Sequence, residues 1–322
     1  MSEKVIAPWK KALGYSLFSS FAFTLAMALT FPYDAISERV KSAAEDAGLY
    51  LRIGSLGPGL FGVRAKGVKL ARAASANADK APEAIEIDSI SVRPTLFPPG
   101  LKVSASAFDG SAGFSLGGFT LLKLALGGKP KEGSSVGVDA VIDDFDLSKG
   151  NLKGFSGVDL AGKVDASLSI DVPVVQAGTL VDFDLSTATG KLSLETKAVT
   201  VNGGTINATI PTFGPDPTPL DLPKISVGDI NGKFKFDKGQ GNVDTFTLKS
   251  TDIEGSVTGT VKLGKRVEYS EPNLEVRFKP DPEFQKRLGL IGSALSLVGA
   301  DPKDPTYRMG RLTGTLGRPT FR

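Results

Sequence analysis

The residues best able to do chemistry are three acids, Asp143, Asp144 and Asp146, gathered in Asp143-Asp144-Phe145-Asp146-Leu147. Close carboxylates can share a proton or ligate calcium. A calcium loop needs further oxygen ligands at set spacing, with a turn Gly and a terminal Glu, and neither is placed for it here. The three therefore read as solvated acids of a loop or a strand end. Gly57-Pro58-Gly59-Leu60-Phe61-Gly62 matches the glycine fingerprint of a dinucleotide site. That fingerprint has to open a helix whose N-terminus holds the pyrophosphate. Val63 to Leu70 alternates like a strand instead, and Pro58 lacks the N–H that a phosphate would want, so the motif reads as a turn. Serines are common, but the chain has neither His nor Cys. This removes Ser-His bases, thiol nucleophiles, thiolate zinc and His-based metal sites. Ser148-Lys149, adjacent on a strand, would point apart. No catalytic, cofactor or metal constellation is expected, and the chain is expected not to be an enzyme.

Composition narrows the rest. Lys and Arg (38) exceed Asp and Glu (35) by only three, which gives no argument for nucleic acid as a partner. With 41% hydrophobic and 23% charged residues, the bulk belongs to a folded protein. Gly (38) and Pro (20) are frequent and Trp (1) and Met (3) scarce, which favours turns and strands over helices. The absence of Cys does not fix the compartment.

One segment stands apart. No charge interrupts the chain between Lys11 and Asp34, and the apolar core runs from Leu13 to Phe31. At about 1.5 Å per residue it matches the roughly 30 Å of a bilayer's hydrocarbon. Leu13, Leu17, Phe18, Phe21, Phe23, Leu25, Leu29 and Phe31 would face lipid. Lys4, Lys10 and Lys11 precede the run, and Asp34, Glu38, Glu45 and Asp46 follow it among fewer cations. The positive-inside bias puts residues 1–12 in the cytoplasm, 13–31 in the inner membrane as a single span, and 32–322 outside. Ala26-Met27-Ala28 leaves a second reading open, a cleaved leader, although the apolar run is longer than the usual leader core.

The elements after the anchor are mostly strands. Val164, Ala166, Leu168, Ile170 and Val172 alternate with Lys163, Asp165, Ser167, Ser169 and Asp171. The same period of two appears in Val181/Phe183/Leu185, Leu192/Leu194, Phe234/Phe236, Phe246/Leu248, Ile253 to Leu263 and Leu274/Val276/Phe278. Such alternation marks strands with one buried and one wet face. Asn202-Gly203-Gly204 and Asp237 to Asn242 read as turns, so consecutive strands form an antiparallel meander. Gly-basic-apolar triplets recur at Gly162, Gly190, Gly232 and Gly310. A short amphipathic helix is expected over 33–47, ended by Gly48. A packing helix is expected over 282–299, with Phe284, Leu288, Ile291, Leu295 and Val298 on one face. Linkers are expected at 71–81, 127–135 and 211–223, the last a Pro-rich loop or extended edge.

Several stretches resemble one family: Phe31-Pro32-Tyr33-Asp34 at the end of the anchor; Ile53 to Val63 leading to Gly67-Val68-Lys69-Leu70; Thr247 to Leu263; and Leu312-Thr313-Gly314-Thr315-Leu316-Gly317-Arg318-Pro319. Their order is similar to the type II secretion system protein N (GspN) family and, more distantly, to AsmA-like envelope proteins. The resemblance covers nearly the whole chain as an order of elements, on loose motifs, and brings no catalytic residue with it. It implies an inner-membrane protein with a periplasmic β domain: mainly antiparallel, a long curved sheet, groove or sandwich, with one or two short packing helices.

Two functions follow as expectations. One is a non-enzymatic accessory component of the type II secretion system, contacting other apparatus or envelope proteins through its β domain. The other is a lipid-binding or lipid-transfer module, whose apolar groove would be lined by Leu168, Ile170, Val172, Phe234, Phe236, Phe246 and Leu248 and would hold phospholipid. The competing account of those seven residues is a closed sandwich core.

Overall fold

The computed structural model describes residues 32–59, 62–72, 84–131, 133–177, 180–208, 218–289 and 298–322, with the isolated positions 15, 18, 19, 22, 30, 292 and 295. Side chains at 155, 156, 176, 177, 180, 181, 206–208 and 218–220 lie outside that description.

Fourteen strands form one hydrogen-bonded path, antiparallel at every step. It opens with β1 (Leu49–Gly59), β2 (Gly62–Arg72), β3 (Ile85–Leu96), β4 (Pro99–Ala107), β5 (Gly110–Gly117), β6 (Ser135–Asp146) and β7 (Val158–Ala177). A short β8 (Leu180–Phe183) folds back on the end of β7, and the path continues through β9 (Thr189–Ala208). Another side branch, β10 (Thr218–Leu222), pairs only with β9. The path then runs through β11 (Ile225–Asp237), β12 (Gln240–Lys249), β13 (Ile253–Lys262), β14 (Glu271–Pro280), β15 (Arg308–Thr315) and β16 (Arg318–Phe321). The expected antiparallel all-β fold is therefore present.

The sheet is a single layer. Among the described residues, nearly every close contact between elements joins hydrogen-bonded neighbours, or a short helix to strands beside it. Every strand among the described residues belongs to this one sheet. The strand path begins at β1 and ends at β16 without closing. Register shifts in the β6–β7, β7–β9, β9–β11 and β12–β13 ladders mark bulges, which bend and twist a sheet.

Among the described residues, four short α-helices whose ends are both defined lie beside it. Helix α1 (Tyr33–Asp46) precedes β1, buries no residue and ends at Gly48, which has a φ of +73°. Helices α2 (Phe119–Ala125) and α3 (Lys153–Ser156) lie in the connections before β6 and β7. The C-terminal packing helix is interrupted at Gly289. Helix α4 (Pro282–Arg287) starts on the Asp281 side chain, which accepts from Glu283 and Phe284 N–H, and stops before Gly289 at φ +56°. Beyond it, Gly292 and Leu295 are again helical. Of the expected linkers, 127–131 and 133–134 are irregular, whereas β2 extends into the first and β10 occupies an edge in the third. Asn202-Gly203-Gly204 is not a turn. It lies inside β9, where a Cβ on Gly204 would come within 2.4 Å of the Gly157 carbonyl oxygen.

Among the described residues no helix is long and apolar enough to cross a membrane. Of the predicted span, Phe18 is helical and exposed. Leu13, Leu17, Phe21, Phe23, Leu25, Leu29 and Phe31 lie outside the described residues, as do Lys4, Lys10 and Lys11.

The recurrent Gly-basic-apolar triplets have a packing explanation. Phenylalanine rings lie flat on glycines of the adjacent strand. Phe246 stands opposite Gly232 and Phe236 opposite Gly241. A Cβ on Gly232 would lie 3.0 Å from the Phe246 ring, one on Gly241 2.6 Å from Phe236, and one on Gly310 2.3 Å from Phe321. Gly190 instead admits close backbone: a Cβ there would come 2.3 Å from the Ser169 carbonyl oxygen and 2.6 Å from Ile170 Cα. Gly162 is different: it lies at a β7–β9 register shift against the backbone of Val199. Gly241→Val should unseat the buried Phe236 ring and cost about 1–3 kcal/mol in urea unfolding with little change in slope. Gly113→Val, where a Cβ meets nothing within 4 Å, should stay within about 0.5 kcal/mol of the parent.

Candidate apolar groove

The ladders carry one apolar face across the sheet. Starting on β3, Val92 stands opposite Val103, Val103 opposite Phe114, Phe114 opposite Ala140 and Ala140 opposite Leu168. Leu168 then faces Leu192, Leu192 faces Phe234 and Phe234 faces Val243. A parallel row runs Leu101, Leu116, Val138, Ile170, Gly190, Phe236, Gly241, Val261 and Pro272. Directly paired residues in a ladder project to the same side. All seven residues expected to line a groove are therefore brought to one face.

They do not share one environment. Ile170 and Val172 are buried with Ala188, beneath Leu185 and Leu263 and beside Val138 and Leu168. That part of the face is packed shut. Phe236 is buried on its glycine seat. Leu168, Phe234, Phe246 and Leu248 are half-buried. Phe234 and Phe246 meet edge to face, with ring centroids 6.2 Å apart.

Only Phe246 and Leu248 of the seven open onto an apolar cavity, of about 280 Å³. Its walls also include Ile253, Val257, Val276, Phe278, Leu295 and Phe321. Sequence reasoning recognised the strand faces of four of these but not their shared cavity. The signal was parity: the register that places Leu248 opposite Gly255 places Gly255 opposite Phe278. Leu295, spaced for a helical face, and Phe321, at the chain end, bound the cavity from outside the central strands.

Polar contacts hold the C-terminal elements beside this cavity. Arg287 donates to Asp252 at 2.5 Å and to the Lys224 carbonyl at 3.1 Å. The other oxygen of the buried Asp252 accepts the Ser226 N–H at 2.6 Å. Further along, Arg277 binds Asp301 and stacks on Tyr307, 4.0 Å from the ring centroid. The Lys303 N–H, with the Arg277 guanidinium, holds the Asp301 carboxyl below the usual carboxylate range. Thr306 does the same for Asp304 through its hydroxyl and N–H. Burial, with Glu254 nearby, pushes the Tyr307 phenol up.

The opposite face is polar. A cavity of about 540 Å³ there is bordered by Ser167, Ser169, Lys191, Ser193, Lys233 and Lys235, and also by Leu192, Phe234 and Phe236 of the apolar rows. Ser167 and Ser193 hydroxyls lie 2.8 Å apart. The three acids that opened the sequence reading are engaged in local structure. Asp144 accepts from Lys163 at 2.6 Å, and Asp146 accepts from Ser148 through its N–H and its hydroxyl. Asp143 stands opposite Ser111 in the ladder. Ser148 and Lys149 lie on a one-turn 3-10 helix, not the strand expected for them, because Asp146 caps that turn. Gly57 to Gly59 end β1 and Gly62 opens β2, with Gly59 opposite Gly62 and a strand, not a helix, following. No group of three or more acids among the described residues could hold a metal ion.

Compared with known proteins, the chain matches no family model, no curated protein and no solved structure.

The aspartate contacts set an acid limit. Carboxyls held below their unfolded values near 4 stabilise the fold above that pH and lose the effect as pH falls through the folded value. Asp301 and Asp304 act in this sense. Unfolding free energy should be level from about pH 7 to 5 and decline below about 4. Asp301→Asn should lower the plateau and flatten the decline, read by urea unfolding across that range.

Proposed function

We propose that the chain is a non-enzymatic lipid-binding module of the cell envelope, one that holds acyl chains along its apolar face. The observation that carries this reading is the half-buried pair Phe246 and Leu248, opening onto an apolar cavity beside Phe234. Apolar surface left in this state binds an apolar ligand or a partner. The resemblance to AsmA-like proteins agrees with that use. The expected membrane anchor would keep the module at its lipid source.

A second reading, an accessory component of the type II secretion system, draws on the GspN resemblance and on the open path from β1 to β16. The β1 edge is eleven residues long, enough to add a strand from another β domain.

Mass spectrometry of gently purified protein should release phospholipid. Leu248→Asp, which sets a charge on the cavity wall, should abolish that signal while circular dichroism stays that of the parent. Lipid-free parent protein would overturn the lipid reading. Unimpaired secretion in a deletion strain under heavy export load would overturn the secretion reading.

A further inference from the structure

The connections between strands fall on two rims. Helix α1 enters β1 on one of them. The opposite rim carries the β3–β4 tip (Leu96–Pro99) and the segment from Gly118 to Ser134, which includes α2. On that rim Leu96, Phe97, Phe119, Leu122 and Leu126 are exposed by 79, 88, 69, 45 and 79%. These side chains form one patch. Gly118 N–H donates to the Pro99 carbonyl at 2.9 Å, and Pro98 sits against Gly117, 3.1 Å from where a Cβ would be. Thr95 donates to the Pro98 carbonyl at 2.8 Å and holds the tip that presents Phe97. The patch is also continuous with the apolar face, because Leu96 stands opposite Pro99, and Pro94 opposite Leu101, which is opposite Leu116.

We propose that this rim is a membrane-docking edge, which lays Leu96, Phe97 and the face of α2 into the interface of an anionic bilayer. Charge decides between a bilayer and a protein. Lys123, Lys129 and Lys131 follow Phe119 within twelve residues. Between Arg93 and Ser134 the acids are Asp109, at the β4–β5 turn on the other rim, and Glu132. On the neighbouring strands Asp139 stands opposite Ser115, and Ser115 opposite Lys102, in a row on the polar face, away from Leu101 and Leu116. Lysine is depleted at protein–protein interfaces, and the patch lacks Tyr, Trp and Arg, the residues commonest among their hot spots. Apolar side chains ringed by lysines suit an anionic lipid surface, where each lysine adds electrostatic attraction. The docking claim does not depend on lipid occupying the groove.

The test uses the full chain reconstituted into vesicles of phosphatidylglycerol and phosphatidylcholine carrying brominated acyl chains, which quench tryptophan on contact. Trp9, the chain's one tryptophan, is replaced by Phe, and single probes are introduced as F97W, L126W and V141W. Val141 is exposed in the middle of β6, away from both rims, and reports chance proximity to the vesicle. F97W and L126W should be quenched and V141W should not. Reversing Lys123, Lys129 and Lys131 to Glu should remove the quenching in anionic vesicles. Equal quenching at all three probes, or none at F97W and L126W, would overturn the proposal. Bound phospholipid in the purified protein tests the groove separately, so either idea can fail alone.

Discussion

The antiparallel ladder is the interaction on which everything else in this protein rests. Most domains bury apolar surface between two packed layers. Here the described residues offer one layer, so backbone hydrogen bonds between successive strands supply the continuity that a core supplies elsewhere. Buried apolar side chains are correspondingly few and scattered, with one small cluster around Ile170, Val172 and Ala188. The cost of this arrangement is an apolar face without an internal cover. Rings lying on glycines reduce that cost locally, since Phe236 and Phe278 are buried within the layer itself. Elsewhere the face stays half-open, and that is where binding is proposed.

The two faces differ in more than polarity. On the polar side, hydroxyls, lysines and acids meet in cross-strand pairs that water can solvate. Lys191 stands directly opposite Lys235, a pairing that repels unless solvent or counter-ions intervene. On the apolar side, the C-terminal elements are fastened near the cavity by Arg287 with Asp252 and by Arg277 with Asp301. The Asp252 carboxylate is buried, so its partners decide whether α4 stays where it is. Removing one member of such a group leaves the other without compensation.

The alternation of Leu168, Ile170 and Val172 with Ser167, Ser169 and Asp171 made the central strands legible in the sequence, because a period of two has one structural meaning. The hairpin at Asp237 to Asn242 was legible for the same kind of reason. Glycine was the main source of error. Asn202-Gly203-Gly204 has the composition of a turn, yet those glycines accommodate neighbouring backbone inside β9. Gly289 interrupts a helix whose apolar spacing runs on to Val298. The absence of a second layer was not legible either: alternation reports that one face avoids water, not what covers it. The candidate cavity was partly visible through Phe246 and Leu248. Its remaining walls depend on register across β12, β13 and β14, which no local pattern encodes.

The meander has a consequence for how the chain acquires its structure. Each strand of the path pairs with the one made just before it, apart from the two small detours at β8 and β10. Pairings are therefore local in sequence, and the loop to be closed at each step is short. A sheet of this kind can grow by adding one strand at a time in the order of synthesis, as a repeat array does. The growing end is always a free edge, and the described sheet keeps one at β1 and one at β16. Assembly and extension then use the same kind of surface, so whatever adds a strand to the sheet repeats the step by which the sheet itself grew.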